Sequence, residues 1–341
     1  STGYYTLTDA NGGTIQFQNI ETLIVGDYTY TQNTSNKTYW NSTEKVVYMY
    51  ALDSSGASTS SSDITGLSGL SASDTLTVQG SAQSDTMNLN SDRSIDLTGN
   101  LTLNMGAGND NFYSAKLKNG DSVDMGAGDD SVNFIINSHT PTVANLSLVK
   151  LDGGAGNDTL SFLNFTNTAE ISLSTGGATN FENILGSGGS ETIKGDANAN
   201  ILAGAGGADT LYGYAGNDIL AGSNRGMPTL ARVAEWLAGN NDSWNDDGNT
   251  GNNTLYGGAG DDKLFGGYYD DTLDGGTGTD TLSGGNGIDT FVIRTGDGST
   301  TLADADVITD FTNGTDVIAM DSVAYDDLTI AQGTGSNASH T

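Results

Sequence analysis

A nine-residue unit, Gly-Gly-x-Gly-x-Asp-x-U-x with U large and apolar, recurs along this chain and restricts it to a stack of near-identical rungs. Four copies run without a gap: Gly257-Gly-Ala-Gly-Asp-Asp262-Lys-Leu264-Phe, Gly266-Gly-Tyr-Tyr-Asp-Asp271-Thr-Leu273-Asp, Gly275-Gly-Thr-Gly-Thr-Asp280-Thr-Leu282-Ser and Gly284-Gly-Asn-Gly-Ile-Asp289-Thr-Phe291-Val. A second run holds Gly204-Ala-Gly-Gly-Ala-Asp209-Thr-Leu211 and Gly213-Tyr-Ala-Gly-Asn-Asp218-Ile-Leu220. Weakened units flank these runs, with Glu191, Asn200 and Asn253 at the Asp position. A third, wider-spaced set comprises Met105-Gly-Ala-Gly-Asn-Asp110, Met125-Gly-Ala-Gly-Asp-Asp130 and Gly153-Gly-Ala-Gly-Asn-Asp158.

The glycines permit a backbone curl with positive φ, and x-U-x is long enough for a short strand that buries one side chain. Two units then complete one turn of a flattened solenoid, and turns on one edge stack at about 4.8 Å. Between Asp110 and Asp130 the chain reads as strand, a turn at Lys118-Asn119-Gly120-Asp121, then strand, so in this stretch one edge carries Asp turns and the other ordinary ones. Asp74-Thr-Leu76 and Asp85-Thr-Met87 read as decayed rungs. Carboxylates stacked at that spacing repel by about 1 kcal/mol per pair in water and by several times more when partly buried. A cation between them is therefore expected. Carboxylate and carbonyl oxygens in an adjustable loop favour Ca²⁺ over Mg²⁺, which demands tight octahedral geometry. Zinc is poorly served, since the two histidines, His139 and His340, stand far apart and cysteine is absent. An Asn at the Asp position keeps a carbonyl without the charge, so those rungs should bind weakly or not at all.

The net charge of −31 bears on the same point, because among 42 acidic residues only Glu21, Glu44, Glu170, Glu182, Glu191 and Glu235 are glutamates. Asp is the carboxylate that turns tolerate and that reaches a cation held by its own loop. Disorder is the alternative for such a chain, but 35% hydrophobic residues and two prolines argue against it. The charge repels nucleic acid and anionic lipid, and no long apolar run spans a membrane. Both ends read as cut from a longer chain.

The tandem units resemble the nonapeptide repeats of RTX proteins over most of residues 101–293, specifically where the units are clean. Asp289-Thr-Phe-Val-Ile293, then Asp306-Val-Ile-Thr-Asp310-Phe311 and Asp316-Val-Ile318, is similar to the element that closes RTX arrays before a type I secretion signal; the signal itself is not visible. The resemblance implies an all-β parallel β-roll or β-helix solenoid that binds several Ca²⁺ ions. It also implies ligands: carbonyls from the first, third and fifth positions of a turn, with Asp side chains of the same edge, each ion shared between units eighteen residues apart. On that basis the metal residues are Asp110, Asp130, Asp158, Asp209, Asp218, Gly257, Ala259, Asp262, Gly266, Tyr268, Asp271, Gly275, Thr277, Asp280, Gly284, Asn286 and Asp289. Asp262 should stack with Asp280, and Asp271 with Asp289.

The expected organisation is a Thr/Ser-rich β region (1–100), a roll with long and degenerate rungs (101–222), an insertion with a short helix (223–250), a regular roll (251–293) and capping strands (294–341). In the insertion Pro228 suits a first helical turn, Leu230, Val233 and Leu237 share a face, and Gly239 suits the stop. It reads as a brace on the roll or as a ligand-contacting excursion carrying Trp236 or Trp244. The aromatics Tyr28, Tyr30, Tyr39, Trp40, Tyr48 and Tyr50 read as cross-strand pairs of a sheet, with a glycan or peptide platform as the alternative. Gly12-Gly-Thr-Ile-Gln-Phe17-Gln-Asn-Ile20 echoes Gly176-Gly-Ala-Thr-Asn-Phe181-Glu-Asn-Ile184, and both read as lead-in strands to a solenoid.

No G-x-S-x-G, H-E-x-x-H or cysteine nucleophile is present, and the paired carboxylates are explained by the repeat, so catalysis is not expected. Two functions fit: a Ca²⁺-gated module of a secreted or cell-surface bacterial adhesin or surface-layer protein, or the secretion and folding tail of a secreted hydrolase or toxin. The irregular rungs and the insertion favour the first. Calcium is the expected partner, with surface glycans, peptides or further copies of the chain as candidates.

Overall fold

The computed structural model describes residues 44–47, 74–89, 100–114, 117, 120–134, 150–162, 170–173, 178–222, 251–297 and 304–321, together with the backbones of the strands between 5 and 60. Among these, strands dominate and no α-helix occurs. The x-U-x stretches are strands because U is drawn inward while the residue before it, often Thr, suits a half-exposed pleat; on the long sheet the residues after U include Ala203, Ala221 and Phe265, which pack with Leu185 into a smaller apolar cluster. In Thr272–Thr277, for example, Leu273 is wholly buried and Thr272 is not.

Units two apart pair in parallel, in register at U. Leu273 of Thr272–Thr277 lies opposite Leu255 of Thr254–Ala259 on one side and Phe291 of Thr290–Arg294 on the other. Leu264 of Lys263–Tyr268 lies opposite Leu282 of Thr281–Asn286. This is a β-roll: alternate units feed alternate faces, as the repeat predicts.

One long sheet of eleven strands, from Ser58–Ser60 to Val307–Ile308, runs the length of the array. Two sheets in succession form the opposing face. The first ends at Ala178–Thr179, and the second begins at Glu170–Ser172 and ends at Val317–Asp321. They exchange within one rung, where the chain leaves Thr159–Ser161 of the long sheet, opens the second opposing sheet at Glu170–Ser172, closes the first at Ala178–Thr179 and returns at Asn183–Leu185. Between the faces a single apolar column extends from Val47 through Met105, Phe112, Val132 and Leu160 to Leu211, Leu264 and Phe291.

Among the described residues, one edge carries turns of the repeat type upstream of the exchange. Downstream, both edges do. On the opposite edge upstream, Asp121 Oδ1 accepts the Leu101 N–H at 2.8 Å. Parallel stacking already includes Leu76–Gln79 and Thr86–Leu89, the two decayed rungs, and reaches back to Val46–Met49.

The N-terminal strands correct one expectation. Thr14–Phe17 pairs antiparallel with Tyr5–Thr8, whereas Ala178–Thr179 joins Leu151 and Asp152 in parallel. The echoed sequences therefore occupy different structures: a short link can only reverse the chain into a hairpin, while a parallel rung needs a return path across the other face. Strands Thr22–Val25, Tyr28–Asn33, Thr38–Asn41 and Val46–Met49 form an antiparallel meander that leads into the array, with Tyr39 opposite Tyr48 and Trp40 opposite Val47. Tyr50, the helix expected within 223–250, and residues 322–341 lie outside the described residues.

The insertion leaves stacking intact. Thr210–Ala215 pairs directly with Thr254–Ala259, and Ile219–Ala221 with Lys263–Tyr268. At the far end Arg294 ties neighbouring rungs, its Nε donating to Asp274 Oδ2 at 2.7 Å and its Nη1 to Asp321 Oδ2 at 3.1 Å. Partly exposed pairs of this kind stabilise by roughly 0–1 kcal/mol, so the tie adjusts the end of the roll without holding it.

Candidate metal sites

The corners are built by backbone conformation first. Position two of each clean unit has positive φ, as at Gly276 (φ +93°), where a Cβ would also lie 2.1 Å from the Gly258 carbonyl oxygen of the rung below. Neither the dihedral nor the space admits a side chain there. Three corner residues adopt a positive φ without being glycine: Ala205 and Tyr214 at position two, at φ +75° and +81°, and Tyr269 at position four, at φ +75°. A left-handed L-residue carries a strain of about 1–2 kcal/mol, and Tyr269 is half exposed with little packing to lose. Tyr269→Gly should therefore raise the stability of the calcium-loaded protein by about 1 kcal/mol, read as a higher Tm.

These corners bring the repeat aspartates into two hydrogen-bonded ladders. Each Asp offers Oδ1 to the backbone N–H of the equivalent residue one rung below. On the edge entering the long sheet, Asp85 N–H donates to Asp110 at 2.6 Å, Asp110 to Asp130 at 2.7 Å and Asp130 to Asp158 at 2.8 Å. The same ladder resumes with Asp218 donating to Asp262 at 2.7 Å, Asp262 to Asp280 at 2.9 Å and Asp280 to Asp306 at 3.0 Å. The other edge holds Glu191, Asp209, Asn253, Asp271, Asp289 and Asp316 in the same relation. Stacked partners are eighteen residues apart in the regular stretches and forty-four across the insertion.

The second carboxylate oxygen is the informative one. Oδ2 of Asp110, Asp130, Asp158, Asp209, Asp218, Asp262, Asp271 and Asp280 is buried and meets no hydrogen-bond donor. A bare buried carboxylate oxygen is strongly unfavourable unless something positive or protic faces it. Carbonyl oxygens crowd the same corner: a Cβ placed on Gly257 would sit 2.5 Å from both Asp262 Oδ2 and the Gly275 carbonyl oxygen, so only glycine lets the two oxygens come together there. The corresponding point on Gly266 is 2.3 Å from Asp271 Oδ2 and 2.6 Å from the Gly284 carbonyl. Orphaned carboxylate oxygens with carbonyls close by form the donor set of a hard cation with flexible coordination, which is calcium. Among the described residues no three His, Cys, Asp or Glu side chains converge, so carbonyls would supply much of any coordination shell.

Burial sets the protonation of these groups in the metal-free chain. Desolvation raises Asp110, Asp209 and Asp271 from 3.8 to about 8, Asp158, Asp262 and Asp280 to about 7, and Asp130, Asp218 and Asp289 to about 6, despite the opposing N–H donated to each. Neighbouring carboxylates push most of them further the same way, as Asp130 does for Asp110.

All nine sequence-predicted aspartates thus stand on the ladders. Among the predicted carbonyl donors, Gly275 and Gly284 bring their carbonyls to the corners of Asp262 and Asp271 just described. Ala259 and Thr277 already accept the N–H of Gly216 and Gly260, each at 2.9 Å, leaving one lone pair free. Tyr268 and Asn286 stand opposite each other as cross-rung partners. Asn253 meets its rung with an amide, its Nδ2 donating to Asp271 Oδ1 at 3.1 Å and the Gly266 carbonyl at 3.3 Å, so a protic group sits where other rungs leave bare oxygen.

Position five, read as a free position in the repeat, proves to carry a second ladder running the other way. Asn109 Oδ1 accepts the Asp129 N–H at 3.1 Å, Asp261 Oδ1 the Thr279 N–H at 2.9 Å and Asp270 Oδ1 the Ile288 N–H at 2.8 Å. The recurrent Asn-Asp and Asp-Asp doublets were its signal in the sequence.

The family model described as RTX calcium-binding nonapeptide repeat matches in four copies, at residues 150–168, 185–222, 247–267 and 260–291. No curated protein matches the chain. The turns at Asp110 and Asp130 lie outside the matched stretches, yet they belong to the same ladder as Asp158.

Proposed function

We propose, from the premise that this chain carries RTX nonapeptide repeats, which bind several calcium ions per domain, that it is the calcium-assembled structural module of a type I-secreted bacterial protein. The observation that carries this reading is the row of buried, unpartnered Oδ2 atoms, present in eight of the nine clean turns, with a carbonyl of the next rung beside those of Asp209, Asp218, Asp262 and Asp271. In this role Asp110, Asp130, Asp158, Asp209, Asp218, Asp262, Asp271, Asp280 and Asp289 hold the ions together with first- and third-position carbonyls. The cation neutralises the ladder charge, and this chain's residues do the rest: the corners orient the carboxylates and the apolar column aligns the rungs. Inside the cell, at low calcium, the self-repelling chain stays extended and fit for threading. Outside, binding at the ~10⁻⁴–10⁻³ M affinities of extracellular modules drives folding.

Placement at the cell surface, in an adhesin or surface layer, is supported by the continuity of the roll across its insertion and by the strand meander that leads into it. The tail of a secreted hydrolase or toxin is the second reading, and the sequence upstream of this chain in its parent protein separates the two. No catalytic role is assigned to the repeat region. Among the described residues no helix is long and apolar enough to cross a membrane.

The ligand assignment is tested by Asp271→Ala combined with Asp280→Ala, one on each ladder. The calcium midpoint of folding, followed by circular dichroism, should rise by about tenfold or more. An unchanged midpoint would remove these aspartates from the coordination shell.

A further inference from the structure

The turns of this array fall into two classes, and one backbone dihedral separates them. In the nine clean units position two has positive φ: Gly106, Gly126, Gly154, Ala205, Tyr214, Gly258, Gly267, Gly276 and Gly285. In eight of these units Oδ2 at position six is buried and unpartnered. Four other turns, 80–85, 186–191, 195–200 and 311–316, carry Ser81, Ser187, Asp196 and Thr312 at position two, none of them with positive φ. In all four the position-two N–H turns inward and donates to the position-six side chain of the same turn. Ser81 N–H reaches Asp85 Oδ2 at 2.6 Å, Ser187 N–H reaches Glu191 Oε2 at 3.3 Å, Asp196 N–H reaches Asn200 Oδ1 at 2.8 Å and Thr312 N–H reaches Asp316 Oδ2 at 2.7 Å. The serine hydroxyls add a second donor, to Asp85 Oδ1 at 3.1 Å and to Glu191 Oε1.

We infer that position two decides whether a turn takes calcium, and that these four turns are complete without it. A positive φ swings the N–H away and leaves a carboxylate oxygen for a cation; a negative φ supplies the donor from within. Their places in the fold agree with this role. Turn 80–85 lies beneath Asp110, at the start of the long ladder, and turn 186–191 stands below Asp209 on the other. Turn 311–316 stands above Asp289, and turn 195–200 lies below Asp218, where the long ladder passes from one calcium run to the next. Each run of calcium turns thus abuts a turn whose hydrogen bonds are made before any ion arrives, so the rung next to it has an ordered template to stack on.

This inference rests on the calcium reading, and the test separates the two. Thr312→Gly leaves glycine at positions two and four of turn 311–316, where Gly314 already has φ +83° and position six is Asp316. Ser187→Gly with Glu191→Asp does the same for turn 186–191. Full-length wild type and variants are stripped, refolded in CaCl₂ and dialysed, and bound calcium per chain is measured by atomic emission alongside circular dichroism. Each variant should hold one more ion than wild type, whereas Thr312→Ala should hold none extra. Variants that show the wild-type β signal and the wild-type calcium content would overturn the inference. Should the buried Ser187 variant fail to fold, the exposed Thr312 turn decides alone. Wild type that folds with no calcium at all would instead sink the proposed function.

Discussion

Stripped of calcium with EDTA, the chain should lose most of its β circular-dichroism signal and expand, and CaCl₂ should restore both where equal MgCl₂ does not. The expected size of the effect follows from comparing the two terms that each rung contributes. Burying one Leu or Phe per strand stabilises by about 1.5–3 kcal/mol. Against it stands a carboxylate whose Oδ2 has no partner, as in Asp262, Asp271 and Asp280, and an uncompensated buried charge costs several kcal/mol. Without the ion a clean rung has no surplus, and the chain's net charge of −31 adds repulsion along its whole length. Because rungs stack only on their neighbours, losing the surplus in several of them should melt the array rather than thin it. Small-angle scattering provides the second readout. A chain that remains compact and β-rich after exhaustive chelation would refute the calcium assignment.

Acid should replace part of what calcium does. Burial raises the ladder aspartates from 3.8 to between about 6 and about 8 in the folded, metal-free state. A group whose folded pKa lies above its unfolded one binds more protons when folded. The stabilisation is then complete below the unfolded value and is lost as pH rises through the folded one. In EDTA the array should therefore gain β structure as pH falls from 8 towards 4. With calcium present the sign reverses, since binding needs the carboxylates ionised and releases protons. Where acid has already folded the array, at pH 6, the calcium needed to saturate the sites should exceed that at pH 8, where the unfolded chain's aspartates are already ionised, and calorimetry at pH 6 in buffers of different ionisation enthalpy should register the released protons. A calcium requirement independent of pH across that range would show that the ladder aspartates are already ionised before calcium binds.

The distance from sequence to site was short where the chemistry is local. The pairing of Asp262 with Asp280 and of Asp271 with Asp289 was legible because two units of nine residues make one turn, whatever the rest of the chain does. The buried column Leu255, Leu273, Phe291 was legible from the U position alone. The partner of Asp209 was not: it is Asn253, forty-four residues on, because hydrogen-bond geometry selects the next rung in space and an insertion of any length can intervene. The antiparallel entry at Tyr5–Thr8 and Thr14–Phe17 was missed for a related reason, since identical strand-forming patterns leave direction to the length and path of the connection.

The amino-acid order by itself determined that this chain would coil into rungs with glycine corners, one inward side chain per strand and aligned aspartates needing a cation, because each of these follows from the unit's own nine residues. Only the tertiary structure decided which corners face another corner with a bare oxygen and which close on themselves. That choice depends on the direction of one N–H at position two and on the rung stacked above it, and neither is a property of composition.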